Sequence, residues 1–246
     1  DKLSYKVLLL PMRIALAQIN YHIGNIDYNL SRMQAALIEA RQQRANLVVF
    51  SELSICGYPP GDLLNQEGFI GLCMKGIEQL AASCQGIAAI AGGPLVNDSG
   101  IGKRLYNAAF LLENGQIRAV RRKALLPTYD VFDEYRYFEP CHDNKVVEFQ
   151  GKRIALTICE DIWDTGDQRL YRFSPMQQLS MQSPDLMINL SASPFAWNRI
   201  GERIQTISRN CTLYKLPLFY VNQVGANTEL IFDGGSAVFS PSAELM

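Results

Sequence analysis

The order of strand-type and helix-type segments constrains this chain more than any single motif. Short apolar runs at residues 13–18, 47–50 and 87–92 alternate with longer segments whose apolar residues recur at helical spacing. In residues 27–44, Leu30, Met33, Leu37 and Ile38 fall at that spacing, and residues 66–83 read as a second helix. The alternation then breaks. Residues 105–113 and 116–122 flank Asn114-Gly115, a strong two-residue hairpin signal, and 146–149 and 153–158 flank Gly151. Beyond them, 167–181 and 199–214 read as helices, and 186–190 and 218–221 as strands. Residues 234–246 read as a strand, a turn and the start of a partner strand. Hairpins set among β-α-β units predict an α/β chain with two mixed sheets and helices outside.

Composition removes several function classes. With 246 residues and 48% hydrophobic residues, the chain can bury a substantial core as one large domain. A net charge of -1 gives no electrostatic case for nucleic acid or a membrane surface. No apolar run approaches a membrane span, and residues 3–11 are too short and poorly flanked for a signal peptide. Met12 opens the first regular strand, so residues 1–11 read as an extension or an expression remnant. Six cysteines without C-x-x-C spacing, in a long chain without a secretory signal, predict reduced thiols and a cytoplasmic setting. His22 and His142 sit in no metal-ligand spacing and read as loop or surface residues, so no metal site is expected.

Three strand ends carry chemistry. Ala155-Leu-Thr-Ile-Cys-Glu-Asp-Ile-Trp163 places Cys159 where an apolar run stops and an acidic turn begins. A thiol there can overhang the carboxyl end of a sheet, where α/β folds hold ligands. Asn46-Leu-Val-Val-Phe-Ser-Glu52 delivers a carboxylate at such an end, and Ile117-Arg-Ala-Val-Arg-Arg-Lys123 an ammonium. Alone, the thiol reads as core and the two charges as solvated loop residues. Together, and in this chain order, they resemble the nitrilase superfamily, whose members carry a Glu-Lys-Cys triad.

The flanking residues narrow the resemblance. Ser51-Glu-Leu-Ser-Ile-Cys-Gly-Tyr-Pro-Pro-Gly-Asp-Leu-Leu64, Leu126-Pro-Thr-Tyr-Asp-Val-Phe-Asp-Glu-Tyr-Arg-Tyr-Phe138, Cys159-Glu-Asp-Ile-Trp163 and Asn189-Leu-Ser-Ala-Ser-Pro-Phe195 look like the glutamine-hydrolysing domains of glutamine-dependent NAD synthetases. The likeness runs from Met12 to Met246. It implies the four-layer α-β-β-α sandwich of the nitrilase-like (carbon-nitrogen hydrolase) fold over residues 12–246, with the C-terminal edge trimmed. It also implies a separate synthetase domain, absent from this sequence, that uses ATP and Mg²⁺; no Ser-Gly-Gly-x-Asp-Ser motif is present, and Asp233-Gly-Gly-Ser236 reads as a turn. No cofactor is expected in this chain. Homo-oligomerisation is expected from the superfamily.

Site roles follow from the resemblance and from side-chain chemistry. A thiol with an ordinary pKa near 8.5 needs a cation, a base or both. Lys123 supplies the cation, Glu52 moves the proton, and the Lys123 ammonium and the Glu160 backbone N–H receive the oxyanion. Resemblance implies Glu134 as an auxiliary carboxylate, and Tyr58, Tyr129, Phe132 and Trp163 around the glutamine side chain. It implies Ser193 and Arg199 at the amino-acid end, where a guanidinium suits an α-carboxylate. Two carboxylates sharing one lysine should raise the pKa of one of them. The rival readings are a stand-alone amidase or carbamoylase with the same triad, and a silent subunit of an ammonia-channelling complex.

Overall fold

The computed structural model describes residues 12–165 and 171–246. In the first half, β1 (Ile14–Leu16), α1 (Ile26–Gln42), β2 (Leu47–Val49), α2 (Glu67–Ser83), β3 (Ala88–Val96), β4 (Leu105–Glu113) and β5 (Gln116–Arg122) follow in order. In the second half come β6 (Val147–Phe149), β7 (Lys152–Ile158), α3 (Pro175–Ser180), β8 (Leu186–Ser191), α4 (Arg199–Tyr214) and β9 (Leu218–Asn222). The hairpin β10 (Val224–Asn227) and β11 (Leu230–Asp233) and the strand β12 (Ala237–Phe239) complete the described chain. The first sheet runs β1-β2-β3-β4-β5 and the second β12-β9-β8-β7-β6. Both are mixed: β1-β2-β3 and β7-β8-β9 are parallel, whereas β3-β4-β5, β6-β7 and β9-β12 are antiparallel.

Strand periodicity builds the layers. Successive side chains point to opposite faces, so a strand buried on both sides serves two cores. Leu47 and Val49 enter the core between the sheets, while Val48 joins the core under α1 and α2. Ile154, Leu156 and Ile158 face the inter-sheet core, with Ala155 on the α3–α4 side, and β8 divides its residues in the same way. Three apolar layers separating two helix layers and two sheets make the α-β-β-α sandwich. Among the described residues, no helix is long and apolar enough to cross a membrane.

Local structure departs from expectation in four places. Ile38 is exposed, because one residue beyond Leu37 turns it off the buried stripe of α1. Of the helix expected over 167–181, the described residues 171–181 are helical over Pro175–Ser180; the fixed φ and missing N–H of Pro175 suit a first turn, and the Ser174 hydroxyl caps it by accepting from the Gln177 N–H. Residues 167–170 of that expectation lie outside the described residues. β3 continues past Gly92 to Val96 along its pairing with β4. The hairpin β10–β11 was not expected, since its connection holds Thr228-Glu229, with Thr228 at φ +53°, in place of a glycine pair. The terminal reading agrees with β12 and with a bridge from Phe239 to Leu245.

Candidate active site

The carboxyl ends of β2, β5 and β7 converge, two from the first sheet and one from the second. Glu52 follows β2, Lys123 follows β5 directly, and Cys159 follows β7 directly. Their side chains are removed from water: Glu52 and Lys123 are 0% exposed, Glu134 4% and Cys159 5%. An ammonium this deep must be paired and hydrogen-bonded. Lys123 Nζ donates to Glu52 Oε1 at 2.6 Å and to both oxygens of Glu134 at 2.8 Å. Glu134 stands on a 3-10 turn, Glu134–Arg136, and accepts the Tyr58 hydroxyl at 2.9 Å.

Distant segments hold Glu52 in place. Asn107 Nδ2 on β4 donates to Oε1 at 2.7 Å, and the Ala192 N–H after β8 donates to Oε2 at 3.2 Å. The loop carrying Glu52 crosses β3 at Gly92, where a Cβ would lie 2.3 Å from the Leu53 nitrogen and 2.7 Å from the Ser51 carbonyl oxygen. The Ser54 hydroxyl bonds both the N–H and the carbonyl of Gly92. Only a residue without a side chain permits that approach.

Cys159 opens a short 3-10 helix, Cys159–Ile162, with φ +41°. A non-glycine residue in the left-handed region is strained and persists where its surroundings over-determine it. Its carbonyl accepts Asn189 Nδ2 at 3.3 Å. Burial pushes the thiol well above its usual pKa and Glu52 adds to this, against the pull of Lys123, so the resting sulfur is protonated. Burial also raises Glu52 to about 7, with Glu134 adding and Lys123 opposing. For Lys123, burial favours the neutral amine, but the two carboxylates outweigh it and hold the ammonium charged. A protonated thiol, a base poised near neutrality and a fixed cation suit attack on a carbonyl with transfer of the thiol proton.

The remaining expected residues divide between this cluster and its mouth. Tyr58 is buried, and its hydroxyl is committed to Glu134. Tyr129 meets Phe132 edge to face, ring centroids 5.7 Å apart, and donates its hydroxyl to Glu160 Oε1 at 2.9 Å. Tyr171 donates to the same oxygen at 2.9 Å. Burial raises the Glu160 carboxyl, against the opposing pull of Lys123 and the two tyrosines. The Arg199 side chain is only 18% exposed; it pairs with Asp130 at 3.5 Å and lies 5.7 Å over the Trp163 ring. Trp163 itself packs partly into the outer core beneath α3 and α4. Ser193 is buried, its N–H and carbonyl both bound by the Asn222 side chain. Sequence reading missed Asn107, Gly92, Tyr171 and the Glu160 side chain. Asn107 alone left a signal, a lone amide inside an apolar strand.

Among the described residues, no group of three or more His, Cys, Asp and Glu could hold a metal ion. A cavity of about 130 Å³ lies behind Tyr58 and Glu134, walled by Leu53, Leu64, Tyr137 and Phe138. A groove of about 780 Å³ between β1 and α1, lined by Arg13, Gln18, Arg32 and Glu39, touches none of the converging side chains.

A thiol, a lysine and two carboxylates lie buried together at the strand ends of a layered α-β-β-α sandwich. The same architecture occurs in an amidase from Nesterenkonia sp., with a TM-score of 0.78 at 22% identity over 95% of this chain and 84% of that one. The sequence profile of the carbon-nitrogen hydrolases matches residues 13–246, and the chain belongs to that family. It is 38% identical to a glutamine-dependent NAD(+) synthetase of Synechocystis sp. over 95% of its own length and 43% of that protein. A solved glutamine-dependent NAD+ synthetase from Acinetobacter baumannii superposes with a TM-score of 0.86 at 37% identity, covering 95% of this chain and 42% of that one. The chain thus spans less than half the length of these synthetases.

Proposed function

We propose that residues 12–246 hydrolyse the side-chain amide of glutamine through a Cys159 thioester. Glu52 takes the Sγ proton as the sulfur attacks the amide carbon. The oxyanion so formed is met by the Lys123 ammonium and the Glu160 N–H, donors worth about 3 kcal/mol each. As the C–N bond breaks, Glu52 returns the proton to the leaving nitrogen, giving ammonia and a γ-glutamyl thioester. Glu52 then draws a proton from water as it attacks the thioester and passes that proton to the departing sulfur, releasing glutamate and restoring the thiol. Glu134 keeps Lys123 oriented throughout.

The observation that carries glutamine over a simpler amide is a buried carboxylate, Glu160, and a guanidinium, Arg199, both within reach of Tyr129. The Glu160 carboxylate sits between two tyrosine hydroxyls, and Arg199 lies against Trp163 beside Tyr129. Such a pair fits an α-ammonium and an α-carboxylate, with Ser193, Phe132 and the buried ring of Tyr58 completing the walls. A small uncharged amide requires neither charge. We assign the released ammonia to a linked synthetase domain that amidates nicotinic acid adenine dinucleotide with ATP and Mg²⁺, within a cytoplasmic homo-oligomer; the six unpaired, buried thiols fit a reducing compartment.

Ammonia release from glutamine, acetamide and a carbamoyl amine, each with and without Cys159→Ala, tests this. Glutamine turnover lost in the variant is the expected result. Turnover of acetamide without turnover of glutamine would overturn it.

A further inference from the structure

Asp161 takes no part in the chemistry above, yet it is 1% exposed and every hydrogen bond found for its carboxylate goes to backbone. Oδ1 accepts the N–H groups of Ala124 and Leu125, both at 2.9 Å, and Oδ2 accepts the N–H of Ile158 at 3.0 Å. These amides belong to two different sheets. Ala124 and Leu125 follow Lys123 at the end of β5, whereas Ile158 precedes Cys159 at the end of β7. One carboxylate therefore ties the backbone beside the lysine to the backbone beside the thiol. Its bond to Ile158 also closes the turn in which Cys159 holds φ +41°. The buried Arg121 guanidinium, on the strand that delivers Lys123, supplies the opposing charge.

We propose that Asp161 is a positioning residue that sets the spacing between the Lys123 ammonium and the Cys159 sulfur, and through it the reactivity of the thiol. This rests on Cys159 being the nucleophile of the proposed hydrolysis. The groups facing the sulfur are Glu52, Lys123, Glu160 and Glu134, with Tyr58, Tyr129, Tyr220 and Arg203 also in electrostatic reach, and no hydrogen bond joins any of them to Asp161. Asp161 reaches the thiol through the backbone it anchors, and its charge is felt by Lys123. In Asp161→Asn, one amide oxygen can keep the two bonds to the β5 side. The new NH₂ then faces the Ile158 N–H, donor against donor, so the anchor beside Cys159 is the one lost. Asp161→Glu keeps the charge but adds a methylene, so all three bonds survive only if the cysteine turn shifts relative to β5.

The test reads the rate and pH profile of Cys159 alkylation by iodoacetamide, peptide by peptide, together with glutamine kinetics and melting temperature. For folded Asp161→Asn we expect kcat to fall about 100-fold with KM within about threefold, the loss that a displacement near 1 Å produces. Cys159 alkylation at neutral pH should slow about tenfold and its profile should move to higher pH, since separation weakens the help of Lys123. Asp161→Glu should not restore the rate even where it restores the melting temperature. Any folded variant with the parent kcat and alkylation profile would overturn the proposal. Failure of both variants to fold would also overturn it, by making Asp161 a requirement of the fold and not of the spacing. If the parent hydrolyses no glutamine but both variants slow Cys159 alkylation, the glutaminase reading fails and the positioning role stands.

Discussion

Replacing Glu134 by Gln isolates the electrostatics of the shared lysine. Glu52 and Glu134 bond the same Nζ at 2.6 and 2.8 Å. Their charges are then roughly 5 Å apart, where two like charges at an effective dielectric near 20 repel by about 3 kcal/mol. Even half of that, after relaxation of side chains and water, amounts to about one pH unit at Glu52. Glu134→Gln keeps one oxygen for Lys123 and removes the charge together with the second acceptor. Glu52 must be ionised to take the thiol proton, so kcat/KM should rise with pH through about 7 in the parent. In the variant this acid limb should move down by at least about one pH unit, whatever happens to the plateau. The assay is ammonia release from glutamine at subsaturating concentration across the pH range. A limb that stays in place, or moves upward, refutes the claim that Glu134 adds to burial in raising Glu52.

Three further outcomes follow from the same geometry. Gly92→Ala should cost about 1–3 kcal/mol in denaturant unfolding and lower the hydrolysis rate more than tenfold, because its Cβ meets the Glu52 loop; a variant with parent stability and activity would contradict this. Arg199→Ala should raise KM for glutamine at least about tenfold with kcat and Cys159 alkylation little changed, as expected for loss of a charge-assisted carboxylate contact; an unchanged KM removes Arg199 from the substrate site. Glu52 is raised from an ordinary carboxylate value to about 7 in the fold, so the folded state binds its proton more tightly than the unfolded chain. Its contribution to stability is full below the ordinary value and is lost as pH rises through about 7. Glu52→Gln should therefore flatten the fall in melting temperature across that interval, and an unaltered slope would count against the assignment.

The sequence disclosed strands, hairpins and strand ends better than it disclosed what braces them. Asn114-Gly115 and Gly151 mark their hairpins because those turns need positive φ, and Asn114, Gly115 and Gly151 all adopt it. The β10–β11 turn takes positive φ at Thr228 and not at Glu229, a pattern no compositional rule singles out. Glu52, Lys123 and Cys159 were legible through chain order and flanking residues, and the structure brings them to one rim. Their supports were not, because each arises from contacts between remote segments. Ala192 reaches Glu52 across 140 residues and Asn107 across 55, and the Gly92 crossing exists only once β3 lies beneath the loop. Periodicity describes what faces a core, not which amide meets which carboxylate. The role of the Glu160 carboxylate was hidden for a further reason: Tyr171 falls in a segment read as helix, whereas the described residues there are helical over Pro175–Ser180.

The central claim is that Cys159 forms a covalent intermediate with the γ-carbonyl of glutamine. Rapid acid quenching of the chain during turnover, followed by intact mass and peptide mapping, tests it most directly. A γ-glutamyl group on Cys159 during turnover by the parent, absent from Cys159→Ala, is the predicted result. Glutamine turnover by a chain whose Cys159 never carries an acyl group would contradict the account.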